Sequence, residues 1–460
     1  MKIQDTLSNS KQEIDISEKI RIYLCGVTVY DESHIGHART IIVFDVLRKY
    51  LEGKGAEIVF VQNFTDVDDK IIKRAQTENT TADKISTKYI ENYFRDFDRL
   101  NVKRATNYPK ATEHIEDIIK FIEKLIEKEI AYVSKNGVYF AVSKFPEYGK
   151  LSKKKIDELQ SGVRIEVDEA KNNPLDFAVW KFSDVEPIWD SPWGKGRPGW
   201  HIECSAMSAK YLGENFDIHG GGRDLIFPHH ENEIAQSESH TELPFAKIWM
   251  HVGMVTINGE KMSKSLGNIK SIKHVLENWG PNIIRLFCLS GHYSKPIDYS
   301  EEIFKENLTK WRQTETCYYE LIHAEGENHE IDEIIKKIHT EFENALEDDF
   351  NTHLALSSFF QLVKEVNRLA AEGKLGKENA HIIKIEFETM SEILGLRIPK
   401  ISDDEKKEID NLISDREQLR KEKQFEDADK IRDKLNEMNI ELIDHKVRTI
   451  WMKKENIKEE

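Results

Sequence analysis

The composition describes a folded globular chain and excludes several other classes of protein. The chain has 460 residues, of which 39% are hydrophobic and 33% are charged, a balance typical of globular proteins with about three domains at this length. Its apolar runs fall well short of the ~20 residues of a membrane helix, and its first twenty residues lack the apolar core of a secretory signal. Four cysteines in a chain of this length do not form a disulfide scaffold. We therefore expect a cytoplasmic protein with reduced thiols and no membrane partner.

The charge balance argues against a uniformly basic nucleic-acid binder. The chain has 67 Lys and Arg residues against 83 Asp and Glu residues, a net charge of −16. An acidic chain can still bind RNA through local positive stripes and through shape. The net charge therefore leaves an RNA partner open.

The first part of the chain has the strand–helix–strand order of a parallel α/β sheet. Residues 20–30 are β-branched and aromatic, which is typical of a buried strand, residues 38–51 have helical periodicity, and residues 57–63 form a second predicted strand. This is the size of one βαβ unit. Residues 69–100 and 112–128 are predicted to be helical.

An insertion interrupts this pattern between about 130 and 200, with short strands near its start and a loop rich in Pro, Gly and Trp near its end. The strand–loop–helix order resumes over residues 215–239, and another strand follows near residues 248–254. Residues 300–395 are almost purely helical in pattern, and a charged helix or helix pair over 405–437 precedes a short strand pair. We predict a Rossmann-like α/β domain with an insertion, then a helical bundle, then a small mixed α/β domain.

A His-x-Gly-His motif lies in the turn after the first predicted strand, where open α/β sheets bind ligands. It consists of His34, Ile35, Gly36 and His37. The following helix offers free N–H groups to a phosphate, the two imidazoles can donate to phosphate oxygens, and Gly36 leaves room for an adenine. Taken alone, the motif fits two surface histidines equally well.

A second motif, Lys-Met-Ser-Lys-Ser, covers residues 261–265. A lysine in such a loop is a mobile point charge suited to the β and γ phosphates of a nucleotide, although a lone pentapeptide of this kind is usually an ordinary charged loop. The two motifs in this order resemble the HIGH and KMSKS signatures of class I aminoacyl-tRNA synthetases. The resemblance implies that Lys261 and Lys264 bind the phosphates of ATP.

Four residues from distant parts of the chain offer metal donors: Cys25, Cys204, His229 and Glu233. The spacing of the last two places both on one helical face. Two thiolates, an imidazole and a carboxylate suit zinc. From the spacing alone, buried core thiols and a surface His–Glu pair remain an alternative.

Several longer strings make the resemblance closer. Residues 23–30, 63–70, 191–200 and 227–236 resemble those of cysteinyl-tRNA synthetases, and the similarity runs from about residue 20 to the C-terminus. In that family a zinc ion in the amino-acid pocket binds the substrate thiolate directly. The positions that match its zinc ligands are Cys25, Cys204, His229 and Glu233. The positions that match its pocket are Thr65, Trp200 and His219.

The resemblance also implies the ATP site and the substrates. The expected catalytic residues are His34, His37 and Lys264, and the expected ATP-binding residues are His34, Gly36, His37, Gly221, Asp224, Lys261 and Lys264. We expect one zinc ion per subunit, Mg²⁺ with ATP, and a monomer that acts on L-cysteine and tRNA(Cys). The catalytic domain would comprise residues 1–110 and 201–255, separated by an insertion at 111–200. It would be followed by a KMSKS and stem-contact region (256–310), a helical bundle (311–397) and an anticodon-binding domain (398–460).

The C-terminal segment departs from the family in two places. Gln424 and Phe425 stand where an Asp-Trp pair is common, and Asn439 stands where glycine is usual. Phe425 keeps an aromatic face for stacking on a base, and Asn439 can adopt the left-handed conformation of a helix cap. A late tryptophan, Trp451, matches the family pattern.

Two other functions remain open at this point. One is a tRNA-independent ligase that passes activated cysteine to an amine, similar to the cysteine ligase of mycothiol synthesis; the segment after residue 398 argues against it. The other is a non-catalytic protein that binds zinc and RNA. The presence of His34, His37 and Lys264 argues against that second reading.

Overall fold

A parallel four-stranded sheet organises the first part of the fold. The sheet is formed by strands β3 (Ile20–Thr28), β4 (Ile58–Thr65), β9 (Phe216–Gly222) and β10 (Ala246–Val252). These strands lie in the order β10, β9, β3 and β4, and every neighbouring pair is parallel. The first predicted strand, helix and second strand are therefore confirmed as a βαβ unit, and the predicted α/β class is confirmed.

The computed structural model describes residues 1–155, 170–262, 267–399, 401–444 and 449–454. These residues form two compact units, the first of which comprises Met1–Ile272, Tyr293–Asp298 and Glu347–Phe350. No described helix is long and apolar enough to cross a lipid bilayer. The finer division into six segments stays a prediction.

Helices cover the parallel sheet because their apolar stripes need burial. The helices of the first unit are α1 (Ile35–Gly53), α2 (Asp69–Thr77), α3 (Ala82–Arg99), α4 (Ile115–Glu127), α5 (Trp200–Leu212) and α6 (Glu231–Thr241). Helix α1 begins at residue 35, three residues before its apolar periodicity suggests, because the side chain of His34 accepts from the N–H of Gly36 at the N-cap.

The predicted insertion contains a separate antiparallel sheet. Its strands are β5 (Ala131–Ser134), β6 (Gly137–Phe140), β7 (Phe177–Phe182) and β8 (Gly196–Pro198). Trp180 of β7 is fully buried and lies edge-on to Trp193, so both pack within this insertion. Smaller pairings involve β1 (Lys2–Asp5) with β2 (Ser10–Glu13), and β11 (Val255–Ile257) with β12 (Glu260–Lys261) and β13 (Ile297–Tyr299).

The second unit is mostly helical, as predicted for residues 300–395. Its helices are α7 (Ile272–Leu289), α8 (Glu301–Ile322), α9 (Asp332–Glu347), α10 (Thr352–Ala371), α11 (Lys377–Leu394), α12 (Asp403–Lys421) and α13 (Phe425–Glu437). An antiparallel hairpin of β14 (Ile440–Asp444) and β15 (Thr449–Lys453) ends the described chain. The predicted helix pair and strand pair are both confirmed.

Candidate active site

Five potential metal donors meet at the carboxyl end of β3. The donor atoms of Cys25, His229, His230 and Glu233 all lie within 4.8 Å of one another, and all four residues are buried. The sulfur of Cys204 lies 3.9 Å from that of Cys25 and 3.7 Å from Nε2 of His229. The structure therefore brings the four predicted ligands together and adds His230 to them.

The local fold explains how such distant residues meet. Cys25 lies near the end of β3, Cys204 in the first half of α5, and Glu233 in the first turn of α6. His229 precedes Glu233 by one helical turn, so its Nε2 lies 2.8 Å from Oε1 of Glu233. Oε1 of Glu233 also lies 3.4 Å from the sulfur of Cys25.

Further histidines hold these donors in place. Nε2 of His219 lies 2.8 Å from Oε2 of Glu233, and Nδ1 of His201 lies 2.9 Å from Nδ1 of His229. Such partners orient metal ligands. His219 was expected in the amino-acid pocket, whereas His201 was not singled out, because its spacing from the donors carries no recognisable pattern.

A chain of three side chains supports Cys25 from the other side. Nε2 of His230 lies 3.3 Å from the sulfur of Cys25, and its Nδ1 lies 2.8 Å from Nε2 of His251. Nδ1 of His251 in turn lies 2.8 Å from the hydroxyl oxygen of Thr6. Sequence reasoning missed His230 and His251 as well; the paired histidines 229 and 230 were the available signal.

The buried donors shift one another's pKa values. Burial raises the pKa of the Cys25 thiol well above its usual range, whereas the hydrogen bond with Cys25 lowers the pKa of Cys204 to about 6. Burial opposes the charge of His229, but Glu233 and Cys204 outweigh it and raise the pKa of His229 to about 10. The pKa of Glu233 is lowered, because His229 and His219 outweigh burial. Buried thiolate and carboxylate charges of this kind need a positive partner, and a protonated His229 supplies one.

The donor set fits zinc. Thiolate, imidazole and carboxylate are the ligand types of zinc, and a four-coordinate site needs only four of the five side chains. A hard cation such as Mg²⁺ prefers oxygen ligands throughout. The two sulfurs therefore distinguish the cluster from a magnesium site.

The predicted amino-acid pocket adjoins this cluster. Trp200 is 37% exposed and stacks on the ring of His229 with 4.4 Å between ring centroids. Thr65, at the end of β4, is 3% exposed and donates its hydroxyl to Oε2 of Glu203 at 2.9 Å. Burial raises the pKa of the Glu203 carboxyl, and Cys204 adds to the effect.

The His-x-Gly-His motif forms the start of α1. The rings of His34 and His37 stack with their centroids 3.7 Å apart, so both project from one side of the first helical turn. Nδ1 of His34 accepts from the N–H of Gly36 at 3.1 Å. A Cβ on Gly36 would lie 3.0 Å from the His34 ring, which gives the glycine a packing role in addition to the predicted contact with adenine.

The remaining predicted ATP residues are less enclosed. Lys261 lies exposed in β12 and Asp224 is exposed, whereas Gly221 is buried. A Cβ on Gly221 would lie 2.7 Å from Cε1 of His230, so this glycine packs against the histidine beside the donors. Lys264 lies outside the described residues.

The C-terminal residues singled out from the sequence occupy different environments. Asn439 has a φ of +59°, so the predicted left-handed conformation is confirmed. Trp451 is buried and its Nε1 donates to Oδ1 of Asp410 at 3.0 Å, which gives it a place in the core of the second unit. Phe425 is 59% exposed.

Comparisons with known proteins agree with these observations. The model described as tRNA synthetases class I (C) catalytic domain matches residues 12–309, and the DALR domain model matches residues 341–398. The chain is 49% identical to the cysteine–tRNA ligase of Thermodesulfovibrio yellowstonii, over 99% of this chain and all of that protein. It is 47% identical to the cysteine–tRNA ligase of Pyrococcus abyssi, over 98% of each chain.

A solved structure agrees at the level of the fold. The methionyl-tRNA synthetase of Mycobacterium tuberculosis, in complex with methionyl-adenylate, superposes with a TM-score of 0.62 at 14% identity, over 82% of this chain and 89% of that one. At this identity the similarity concerns the fold alone.

Proposed function

The chain belongs to the cysteine–tRNA ligase family of class I aminoacyl-tRNA synthetases, and on that premise we propose that it activates L-cysteine with ATP and transfers the cysteinyl group to tRNA(Cys). The observation that carries the proposal is the buried cluster of thiol, imidazole and carboxylate donors near the end of β3, the strand that is followed in the chain by the stacked histidines of α1. The full-length similarity to proteins named cysteine–tRNA ligase supports the same activity.

Selection of cysteine needs more than a close fit. Serine has nearly the same shape, and a steric difference of one small group is worth only about 1–3 kcal/mol. The residues that would hold a zinc ion are Cys25, Cys204, His229 and Glu233. A bound zinc ion supplies a soft Lewis acid that prefers a thiolate to a neutral hydroxyl. Trp200 stacks on His229, and we assign it to the wall of the amino-acid pocket.

The first chemical step requires positioning and charge stabilisation. The carboxylate of cysteine attacks the α-phosphorus of ATP, the bond between the α and β phosphates breaks, and pyrophosphate leaves. His34 and His37 lie at the N-terminus of α1, where their imidazole groups can donate to the α and β phosphates. We assign Lys261 and Lys264 to the leaving pyrophosphate, with Mg²⁺ accompanying ATP.

In the second step, the terminal adenosine hydroxyl of the tRNA attacks the carbonyl carbon of the adenylate, and AMP leaves. We assign tRNA binding to the helical second unit and its terminal hairpin. A ligase that transfers cysteine to a small amine would have no use for such an anticodon-binding region. The monomeric state and the cytoplasmic location stay predictions.

The decisive experiment is the charging of unfractionated tRNA with labelled cysteine in the presence of ATP and Mg²⁺. Label on the RNA that is stable to acid and labile to base is the expected result. If folded, metal-loaded protein forms the adenylate without labelling RNA, the amine ligase becomes the better assignment. If it forms no adenylate either, a non-catalytic binding protein does.

A substitution in the KMSKS loop tests the assignment of its second lysine. We expect Lys264→Ala to depress pyrophosphate exchange by about a hundredfold or more, since a charged group that contacts the transition state is lost. Cysteine binding should change little, because the lysine is assigned to phosphates. An unchanged exchange rate would show that Lys264 has no such role.

A further inference from the structure

Arg39 is a buried arginine of α1 that the proposed chemistry does not use. It lies two residues after His37 and is 0% exposed. Its Nη1 donates to the backbone carbonyl oxygens of Gly253 at 2.8 Å and Met254 at 3.0 Å, and its Nη2 donates to that of Lys295 at 2.5 Å. A guanidinium is always charged and only donates, so the direction of these bonds is the same at every pH. Three hydrogen bonds thus tie α1 to two other segments of the chain.

These two segments lead into β11 and β13. Gly253 and Met254 directly precede β11, and Lys295 lies two residues before β13. The segments are in close contact, because a Cβ on Gly253 would lie 2.2 Å from the carbonyl oxygen of Lys295. The N–H of Ile297 also donates to the carbonyl oxygen of Met254 at 3.1 Å. Glycine at position 253 therefore lets one guanidinium bind both segments at once.

The hairpin of β11 and β12 carries Lys261, which we assign to the phosphates of ATP. Lys261 pairs with Thr256 across the hairpin. Oδ1 of Asp298, in β13, accepts from the hydroxyl of Thr256 at 2.6 Å and from the N–H of Gly259 at 2.9 Å. These donors lower the pKa of Asp298, so its carboxylate is ionised at neutral pH. The hairpin is held by a buried arginine at its base and by an aspartate at its turn.

Beyond the KMSKS motif, the chain returns to the start of α1. The N–H of Ile35 donates to the carbonyl oxygen of Lys270 at 3.0 Å, and the N–H of Ile272 donates to that of Ser33 at 2.9 Å. Backbone bonds fix this end, and they do not depend on the identity of a side chain. The end that leads into the motif is tied to the same helix by the side chain of Arg39.

The spacing between α1 and the hairpin matters for the proposed chemistry. His37 and Lys261 would bind the phosphates of a single ATP molecule, and a displacement of about 1 Å at such a group can cost about a hundredfold in rate. A buried guanidinium is a costly way to fill space. Its planar fork, however, fixes the geometry of several acceptors at once, which a flexible or apolar side chain does not.

We propose that Arg39 is a positioning residue that, together with Asp298, holds the hairpin of β11 and β12 and so sets the place of Lys261 relative to His37 in the ATP site. The inference rests on the proposed function, because it takes both groups as ligands of one ATP molecule. It assigns the spacing of the two phosphate-binding motifs, which are far apart in the sequence, to one buried side chain.

The main test replaces Arg39 by lysine, which keeps the charge but loses the planar fork. In pyrophosphate exchange, Arg39→Lys should lower kcat/KM for ATP about tenfold or more, because Lys261 is no longer held in place. The affinity for cysteine, titrated calorimetrically into zinc-loaded protein, should change less than about twofold, because none of the three carbonyl groups belongs to a proposed metal ligand.

A second buried arginine of the same helix offers a matched control. Arg48 is 7% exposed and donates to the carbonyl oxygen of Arg104 at 2.7 Å, and neither residue belongs to the hairpin. Arg48→Lys should therefore lower the free energy of unfolding, as Arg39→Lys does, while kcat/KM for ATP stays close to that of the wild type.

Two further variants test whether the hairpin transmits the effect. Asp298→Ala releases the turn from a partly exposed position and should lower kcat/KM for ATP about threefold or more, again with little change in the affinity for cysteine. In a Lys261→Ala background, Arg39→Lys should cost less than it does in the wild type, because the group that it positions is absent. A merely structural role of Arg39 would give the same loss in both backgrounds.

The outcomes separate the two proposals. A folded, zinc-loaded wild type without pyrophosphate exchange contradicts the proposed function itself. A wild type with exchange, together with a folded Arg39→Lys that keeps kcat/KM for ATP, overturns the inference alone. An equal loss in Arg48→Lys, or full additivity with Lys261→Ala, also overturns it. If Arg39→Lys does not fold, Arg39→Gln leaves no buried charge and replaces it, and unchanged ATP kinetics in Asp298→Ala would overturn the inference in either case.

Discussion

A methyl group added at Gly220 should destabilise the first unit by overpacking its sheet. A Cβ on this residue would lie 2.1 Å from Cζ and 2.6 Å from Cε1 of Phe44, whereas carbon atoms in contact lie about 3.5–4.0 Å apart. The Phe44 ring is fully buried in α1, and Gly220 is paired with strands on both sides, so neither can move away freely. Overpacking of this kind costs about 1–3 kcal/mol, and we expect Gly220→Ala to lie at the upper end, about 3 kcal/mol.

The assay is urea unfolding followed by tryptophan fluorescence, with the transition of the first unit fitted separately, because a chain of two units need not unfold in one step. Gly222→Ala is the matched control: its Cβ would lie 2.5 Å from Oδ1 of Asp224, an exposed side chain that can rotate away. Replacing Phe44 by Leu in the Gly220→Ala background should recover part of the stability. A Gly220→Ala protein as stable as the control, or no recovery in the double variant, would refute the packing argument.

This prediction also bears on the three glycines at the end of β9, residues 220–222. The family resemblance assigns Gly221 to ATP binding, whereas Gly220 is required by the protein's own packing. Loss of activity in Gly220→Ala should therefore follow the loss of folded protein. The KM for ATP of the folded fraction should stay close to that of the wild type.

Three further predictions address other parts of the molecule. His240 stacks on Phe121 with 3.9 Å between ring centroids and should titrate by NMR near pH 4, because burial and then nearby lysines lower its pKa to about 4. Its contribution to stability is complete above pH ~6.5 and is lost as the pH falls through 4. A titration near pH 6.5 would contradict this prediction. Trp451→Phe removes the hydrogen bond to Asp410 and should cost the second unit about 1 kcal/mol in urea unfolding; an unchanged midpoint would mean that solvent replaces the bond. Cys204→Ser should lower zinc content, measured by atomic emission, together with affinity for cysteine, and full retention of zinc would remove Cys204 from the ligand set.

The sheet could be predicted from the sequence because its information is local. Buried parallel strands are continuous apolar runs, and the helix between them has its own period, so the order of β3, α1 and β4 follows from residues 20–65. The start of α1 could not be placed as well. Apolar periodicity begins at Ala38, but the helix begins at Ile35 because the His34 side chain caps it, and histidine is not a common N-cap residue.

The candidate site was only partly predictable for a different reason. The family strings point to four donors, but their supporting residues are joined to them by tertiary packing alone. His201 and His251 come from α5 and β10, and each reaches a donor or its neighbour through one hydrogen bond. Glu203 has no motif of its own, and only the fold brings it to Thr65. Chain spacing carries no information about such contacts.

The surroundings of the donors give a physical reason why selectivity for a thiol can arise without a separate editing site. Glu233 is held by His219 on one oxygen and by His229 on the other, and Cys25 is supported by His230. Side chains held in this way do not need to reorganise when a ligand arrives, so little binding energy is lost to ordering. A serine hydroxyl that entered the same site would have to give up hydrogen bonds with water without gaining a bond to a soft metal. With a zinc ion bound as proposed, the difference in affinity between cysteine and serine would come from bond chemistry, which can exceed the 1–3 kcal/mol limit of a purely steric pocket.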